Sequence, residues 1–124
     1  MVGRIMVVDD DSALRMTLQE ILMDEGRDVI SAEDGLQAVQ MASESQIALI
    51  FMDIRMPGMN GVDAFMEIKA ILPDCVVVFM TGHSLESLVE KALSEGAMTV
   101  LSKPVSIEQI LEIVDAVVPE TIPS

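Results

Sequence analysis

Five polar residues of this sequence follow closely on apolar, β-branched runs: Asp9, Asp10, Asp53, Thr81 and Lys103. Such runs predict strands, and the ligands of open α/β sheets bind outside the carboxyl ends of the strands. Up to 94 residues separate the five in sequence, yet we expect their side chains to face a single crevice. Three carboxylates, one hydroxyl and one ammonium group would then lie together.

Carboxylates that lie close together repel one another, so this set of side chains requires a cation. Mg²⁺ is suitable, because it is held by one or two carboxylates together with waters and phosphate oxygens. Lys103 adds a fixed positive charge and Thr81 a hydroxyl donor, so the set can stabilise a phosphoryl group in transfer. Asp53 is the predicted nucleophile, since carboxylates form aspartyl-phosphates and it is a single acid at the end of the central strand.

Alternating strands and helices must position these residues. Short apolar runs predict five strands, at 5–8, 28–32, 47–52, 76–80 and 99–101. Amphipathic stretches predict five helices, at 12–25, 35–43, 62–72, 84–95 and from 107 to Pro119. Five such units with buried strands indicate an α/β fold of flavodoxin-like, doubly wound type. We expect a parallel sheet in the order 2-1-3-4-5 with helices on both faces.

Local signals predict how the helices begin and which side chains they bury. Ser12 and Ser106 are the predicted N-caps of the first and last helices. Leu36 and Leu93 are expected on the buried faces of the second and fourth helices. The other loop acids are interpreted as solvated: Asp11, Asp28 and Asp34.

Composition narrows the classes of function. The 124 residues fit one domain, and 21 acidic against 7 basic residues give a formal charge of −14. A field of that sign repels phosphate backbones and anionic lipid, so we expect no direct binding to nucleic acid or membrane. No apolar run is long enough to span a bilayer and no signal-peptide pattern precedes Asp9, so we expect a cytoplasmic protein. The single cysteine, Cys75, excludes an intramolecular disulfide.

The motifs together resemble the receiver domain of two-component response regulators, over residues 4–118. The matching segments are 7–10 (Val-Val-Asp-Asp), 53–61 (Asp-Ile-Arg-Met-Pro-Gly-Met-Asn-Gly), 80–82 (Met-Thr-Gly), 95–97 (Glu-Gly-Ala) and 102–104 (Ser-Lys-Pro). One acidic pair alone is a weak signal, whereas five segments in order across a whole domain are specific. The resemblance implies a receiver domain at 1–118, with 119–124 as a C-terminal tail or the start of a linker.

The resemblance also implies roles for the acids. Asp53 would accept a phosphoryl group from a sensor histidine kinase or a phosphotransfer protein. Asp10 and Asp53 would bind Mg²⁺ directly, together with the backbone carbonyl of Arg55, and Asp9 would act largely through water. The domain would catalyse its own phosphorylation and slow dephosphorylation, and would not be a turnover enzyme.

Further implications concern the response to phosphorylation. Lys103 would contact the phosphoryl oxygens, Thr81 would swing toward them, and the Lys103–Pro104 peptide bond would be cis. The face formed by helix 4, strand 5 and helix 5 would pass the signal to an effector domain or protein partner, or form a homodimer. Receiver domains usually carry an aromatic residue at the position of Val100. How this chain transmits the change without that ring is left open.

Some residues and alternatives stay open at this stage. Arg55 and His83 are hypothesised to flank Asp53 and modulate hydrolysis, and Arg15 has no assigned role. An aspartyl-nucleophile phosphatase is disfavoured, because it places a second Asp where this chain has Arg55. A flavodoxin-type electron carrier is excluded by the acidic loop after strand 1 and the scarcity of aromatic residues. A phosphorylation-independent docking domain could fold identically. The sequence does not identify the cognate kinase or the effector.

Overall fold

Five short apolar strands lie side by side in a parallel sheet. The computed structural model describes residues 3–82 and 86–119. Within them, the strands are β1 (Ile5–Val8), β2 (Val29–Ala32), β3 (Leu49–Asp53), β4 (Val76–Thr81) and β5 (Thr99–Ser102). Neighbouring strands pair in parallel in the order β2-β1-β3-β4-β5. The predicted fold and strand order are confirmed.

Each strand is followed by a helix. The helices are α1 (Ser12–Asp24), α2 (Gly35–Glu44), α3 (Gly61–Ile71), α4 (Glu86–Ser94) and α5 (Ile107–Val117). Their bounds differ from the predicted ones by one or two residues, and positions 84 and 85 at the predicted start of α4 lie outside the described residues. Among the described helices, none combines the length and apolar character that crossing a membrane requires.

The strand side chains alternate between two cores, one on each face of the sheet. On one face, Met6, Ile50 and Phe79 pack with side chains of α2, α3 and α4. On the other face, Val7 and Phe51 pack with side chains of α1 and α5. Strands of a parallel sheet are covered on both sides in this way, which is why β1 and β3 are apolar at nearly every position.

Aspartates cap the first two helices, contrary to the prediction. The carboxylate of Asp11 accepts hydrogen bonds from the backbone N–H groups of Ala13 and Leu14, so Asp11 and not Ser12 is the N-cap of α1. Asp34 caps α2 in the same way. Their interpretation as merely solvated loop acids was wrong, because a carboxylate at such a position satisfies otherwise unpaired N–H groups. Ser106 caps α5 as predicted.

Small residues, and not the two predicted leucines, form the buried faces of α2 and α4. Leu36 is 63% exposed and Leu93 46% exposed, whereas Ala38 and Ala92 are fully buried. The close approach of neighbouring helices explains this for α2, because a Cβ atom placed on Gly35 would lie 3.1 Å from Cβ of Ala64 in α3. That spacing leaves no room for a leucine.

Helix α3 begins directly against the end of β3. The N–H of Gly61 donates to the carbonyl of Ile54 at 2.7 Å. A Cβ atom on Gly61 would collide with the carbonyl oxygen of Asp53 and lie 2.9 Å from Cα of Ile54. The loop between β3 and α3 is therefore closed tightly beside Asp53, and this closure depends on a residue without a side chain.

Candidate functional site

The three acids meet at the C-terminal edge of the sheet, between β1 and β3. Asp9 follows β1 and is fully buried, Asp10 is exposed, and Asp53 ends β3 with 6% of its surface exposed. One carboxylate oxygen of each lies within 4.8 Å of the others. The strand order reverses at this point, which is where doubly wound sheets bind their ligands.

Backbone N–H groups hold two of the three carboxylates. Asp9 Oδ1 accepts a hydrogen bond from the N–H of Asp11 at 2.9 Å. Asp53 Oδ1 accepts one from the N–H of Arg55 at 3.1 Å. Each acid thus bonds to the residue two places further along its own loop, which fixes the carboxylate at the end of its strand. The carboxylate of Asp10 has no hydrogen bond or ion pair among the described residues.

Lys103 brings the one ammonium group of the site from the end of β5. Its Nζ donates to Asp53 Oδ2 at 3.0 Å and lies 2.8 Å from Asp9 Oδ2. The second contact is an ion pair with an oxygen atom that is buried. One cation therefore faces two buried carboxylates.

Burial and charge shift the pKa values of this pair. Burial raises the pKa of the Asp53 carboxyl above its ordinary value of 3.8, and the neighbouring Asp9 adds to the rise, while Lys103 opposes it. Burial lowers the pKa of Lys103, but its contacts with Asp9 and Asp53 outweigh that effect and leave the pKa above 10.5. The ammonium is therefore charged at neutral pH. Burial destabilises the ionised form of Asp53, and the neighbouring ammonium partly offsets that cost.

Thr81 reaches the same edge of the sheet at the last position of β4. It is 8% exposed, and its carbonyl accepts a hydrogen bond from the N–H of Lys103 at 2.8 Å. In the sheet register, Met80 pairs with Asp53 and Thr81 with Ser102. The Lys103–Pro104 peptide bond is cis, as the resemblance implied. All five residues predicted to face one crevice therefore lie at one edge.

Residues 5–115 match the family model of the response regulator receiver domain. The chain belongs to this family. The transcriptional regulatory protein PdtaR of Mycobacterium tuberculosis is 37% identical over 93% of this chain and 56% of PdtaR. This receiver domain thus spans little more than half the length of that relative. The chemotaxis protein CheY of Bacillus subtilis is 35% identical over 93% of this chain and 97% of CheY.

A solved structure has the same architecture as this receiver domain. The solution structure of the beryllofluoride-activated NtrC4 receiver domain dimer matches it with a TM-score of 0.85 and 33% identity. The match covers 93% of this chain and 95% of that chain. The family model and these relatives place this receiver domain among the phosphorylation-activated switches of two-component signalling.

The acidic cluster of this receiver domain is suited to a hard divalent cation. It offers carboxylate oxygens from Asp9, Asp10 and Asp53, the ligand type that such cations prefer. Its two buried carboxylates, of Asp9 and Asp53, share one ammonium group. A cation bound beside these acids would therefore offset an electrostatic cost that is already present.

Arg15 is a residue of this site region that the sequence left without a role. Its Nη1 donates to the backbone carbonyl of Asp9 at 2.8 Å, and its Nη2 lies 3.9 Å from Glu33 Oε1 in the loop after β2. The available signal was its position, because a residue four places after the N-cap Asp11 lies one helical turn above the acidic loop. The bond to a backbone carbonyl could not be read from residue types.

Of three further residues named from the sequence, the structure describes two, Arg55 and Val100. Arg55 is exposed, forms no side-chain hydrogen bond or ion pair with the described residues, and lines a cavity of about 370 Å³ with Met56 and Leu88. His83 lies outside the described residues. Val100 is half-buried in β5 and packs against the core beneath α4, at a position where receiver domains usually carry an aromatic residue.

Proposed function

We propose that Asp53 is the residue of this receiver domain that accepts the phosphoryl group. The observation that carries the proposal is the contact of Asp53 Oδ2 with the Lys103 ammonium at 3.0 Å, beside a second buried acid. Its other oxygen is held by the loop backbone. We assign the transfer to a domain of residues 1–118, with 119–124 as a tail or the start of a linker.

Mg²⁺ is the proposed cation of the site. Asp10, Asp53 and the backbone carbonyl of Arg55 would hold it directly, and Asp9 would act through water. The cluster of three carboxylates within 4.8 Å supports this assignment. When bound, Mg²⁺ supplies positive charge that neutralises the oxygens of the transferring phosphoryl group.

The chain's own residues perform the rest of the transfer. A carboxylate oxygen of Asp53 attacks the phosphorus atom of a phosphohistidine, so that an O–P bond forms as the N–P bond breaks. The electron pair of the broken bond stays on the imidazole nitrogen. Lys103 balances the charge on the phosphoryl oxygens, and the hydroxyl of Thr81 donates a hydrogen bond to one of them. Each domain holds one phosphoryl group, released by slow hydrolysis, so it is a switch and not a turnover enzyme.

The donor is a sensor histidine kinase or a phosphotransfer protein in the cytoplasm, and the output is an effector domain, a protein partner or a homodimer. The face formed by α4, β5 and α5 is the proposed output surface. It differs from the usual receiver pattern, since Val100 has no ring that could turn inward when Thr81 moves. We therefore assign the response to displacement of α4 itself, whose one fully buried side chain among those described is Ala92.

Intact-mass spectrometry tests the proposal. Wild-type protein incubated with acetyl phosphate or phosphoramidate and Mg²⁺ is expected to gain the mass of one phosphoryl group, and Asp53→Asn none. Asp28→Asn is the matched control, because Asp28 is an exposed acid paired with Arg4 far from the site. It is expected to gain the group as the wild type does. Phosphorylation of Asp53→Asn, or none in the wild type, contradicts the proposal.

A further inference from the structure

Arg15 joins two loops at the C-terminal edge of the sheet. Its guanidinium donates to the carbonyl of Asp9 at 2.8 Å and lies 3.9 Å from the carboxylate of Glu33. The Arg15 side chain is only 12% exposed, whereas that of Glu33 is 72% exposed. The buried end of this contact is therefore the bond to the backbone of the acidic loop.

The carbonyl of Asp9 belongs to the peptide group that links Asp9 to Asp10. Holding this carbonyl fixes the plane of the peptide, and with it the positions of the N and Cα atoms from which the Asp10 side chain departs. The carboxylates of Asp9 and Asp53 have further partners, in Asp11, Arg55 and Lys103. The carboxylate of Asp10 has none among the described residues, so among the three acids it is the one that is positioned only through its backbone.

We propose that Arg15 is a positioning residue for Mg²⁺, which keeps Asp10 aimed at the cation by holding the carbonyl of Asp9. This inference rests on the proposed function of the acidic cluster. Partners that orient metal ligands without touching the metal typically contribute a factor of about 10–100 to metal affinity. Arg15 stands in that relation to Asp10, through one peptide group.

The positive charge of Arg15 lowers the affinity for Mg²⁺, whereas positioning Asp10 raises it. The role is therefore testable. A guanidinium near a cation site repels the cation, so an electrostatic role alone predicts that removing Arg15 tightens Mg²⁺ binding. A positioning role predicts that removing it weakens Mg²⁺ binding. The sign of the change in affinity therefore separates the two roles.

Calorimetric titration of the full chain with Mg²⁺ provides the first readout. Arg15→Met is expected to raise the dissociation constant about tenfold. Arg15→Lys, which keeps the charge and one donor able to bond the carbonyl, is expected to restore most of the affinity. Lys91→Met removes an exposed cation of α4 and is the control, with an unchanged dissociation constant.

The dependence of phosphorylation by acetyl phosphate on Mg²⁺ concentration provides the second readout. For Arg15→Met, the half-saturating concentration is expected to rise while the rate at saturating Mg²⁺ stays near that of the wild type. A merely structural role does not shift the half-saturating concentration of a variant that circular dichroism shows to be folded. If the methionine variant does not fold, Arg15→Gln answers the same question, because its amide is two bonds too short to replace Nη1.

An unchanged or tighter dissociation constant in a folded Arg15→Met or Arg15→Gln variant overturns the inference and leaves the proposed function intact. A wild-type protein that neither binds Mg²⁺ nor becomes phosphorylated overturns the proposed function itself. The two failures are therefore distinguishable within one set of titrations.

Discussion

Asp53 and Lys103 carry opposite charges, but both make the free energy of unfolding fall as the pH rises. The native protein binds a proton at Asp53 more tightly than the unfolded chain does, because burial raises its pKa. The free energy of unfolding therefore falls as the pH rises from 3.8 through the raised pKa of Asp53. Lys103 stabilises the fold below 10.5, and this contribution is lost as the pH rises through its own raised pKa. At neutral pH the site carries a cost that a bound cation reduces.

Cys75 is expected to be an unreactive thiol in the folded protein. Burial raises its pKa from 9.0 to about 12. At about pH 8 the thiolate fraction, and with it the rate of reaction with a disulfide reagent, should be about a thousandfold lower than in urea-unfolded protein. The measurement is the rate of colour release from Ellman's reagent, with and without urea.

The pH profile of that reaction serves as a check on Cys75. In the native protein the logarithm of the rate should rise with unit slope through pH 9.0 without levelling, because the thiol ionises only near 12. A plateau near 9.0 would mean that the thiol is solvated. The same shift makes the free energy of unfolding fall as the pH rises through this window, since the unfolded chain ionises first.

Residue types alone predicted most of the candidate site. Asp9, Asp53 and Lys103 could be grouped because each closes a strand, and the carboxyl ends of parallel strands share one edge. Arg15 could not be assigned in this way, because its partner is a backbone carbonyl. A backbone group carries no signature in the sequence, so a side chain that acts through it is visible only in three dimensions.

At the scale of elements, α4 is the helix held least firmly by its own side chains. Only Ala92 is fully buried among its described residues. Its C-terminal end is instead held from α3, since Lys69 Nζ donates to the carbonyl of Glu95 at 2.6 Å. The same ammonium lies 5.9 Å from the ring of Phe65, which packs edge-on against Phe79 of β4. The ammonium of Lys69 in α3 thus stabilises a carbonyl group at the C-terminal end of α4.

Lys69→Met is expected to lower the free energy of unfolding by about 1 kcal/mol, through loss of this hydrogen bond and of the charge near the helix C-terminus. Urea denaturation measures the global change. Amide hydrogen exchange should accelerate more in α4 than in α1, because the lost contact holds only α4.

Lys91→Met is the matched control for Lys69. It removes a positive charge from the last turn of α4, but the side-chain ammonium of Lys91 forms no hydrogen bond or ion pair with the described residues. It should cost clearly less than Lys69→Met. Equal losses in the two variants would show that net charge, and not the contact with Glu95, stabilises the helix end.

The order and type of the elements could be predicted because their hydrophobic patterns are strong, but helix faces and caps were less secure. Leu36 was assigned inward by spacing, and the structure buries Ala38 because α2 and α3 approach closely. Asp11 was overlooked as an N-cap because Ser12 beside it suits the same role. Adjacent candidates of similar propensity differ by too little for local preference to choose between them.

At the scale of the whole molecule, Arg27 joins the first third of the chain to its last helix. Its guanidinium donates to the carbonyl of Val118, the C-cap residue of α5, and pairs with Asp115 at 2.8 Å. The Arg27 side chain is 2% exposed, and α5 has no basic residue in its own last turn. A cation from the loop before β2 therefore completes the C-terminal end of α5.

Arg27→Met should lower the free energy of unfolding by about 2 kcal/mol, because the buried carbonyl of Val118 loses its donor. Asp115→Asn should cost less than about 1 kcal/mol, since position 115 is exposed and the amide oxygen of asparagine can still accept a hydrogen bond from the Arg27 guanidinium. Chemical denaturation of both variants makes the comparison. If the two costs are equal, the bond to Val118 contributes nothing and the ion pair accounts for the whole effect.

Gly61 begins α3, whereas Gly58 lies in the loop before it, and the two positions tolerate substitution differently. Any side chain at Gly61 collides with the backbone of Asp53 and Ile54, whereas Gly58 has a φ of +79° and open space around its Cα. In a library of random substitutions selected only for folding, Gly61 should remain invariant, while Gly58 should admit asparagine, which tolerates positive φ. The loop beside Asp53 can therefore change its sequence and surface over time, but not the point at which it closes.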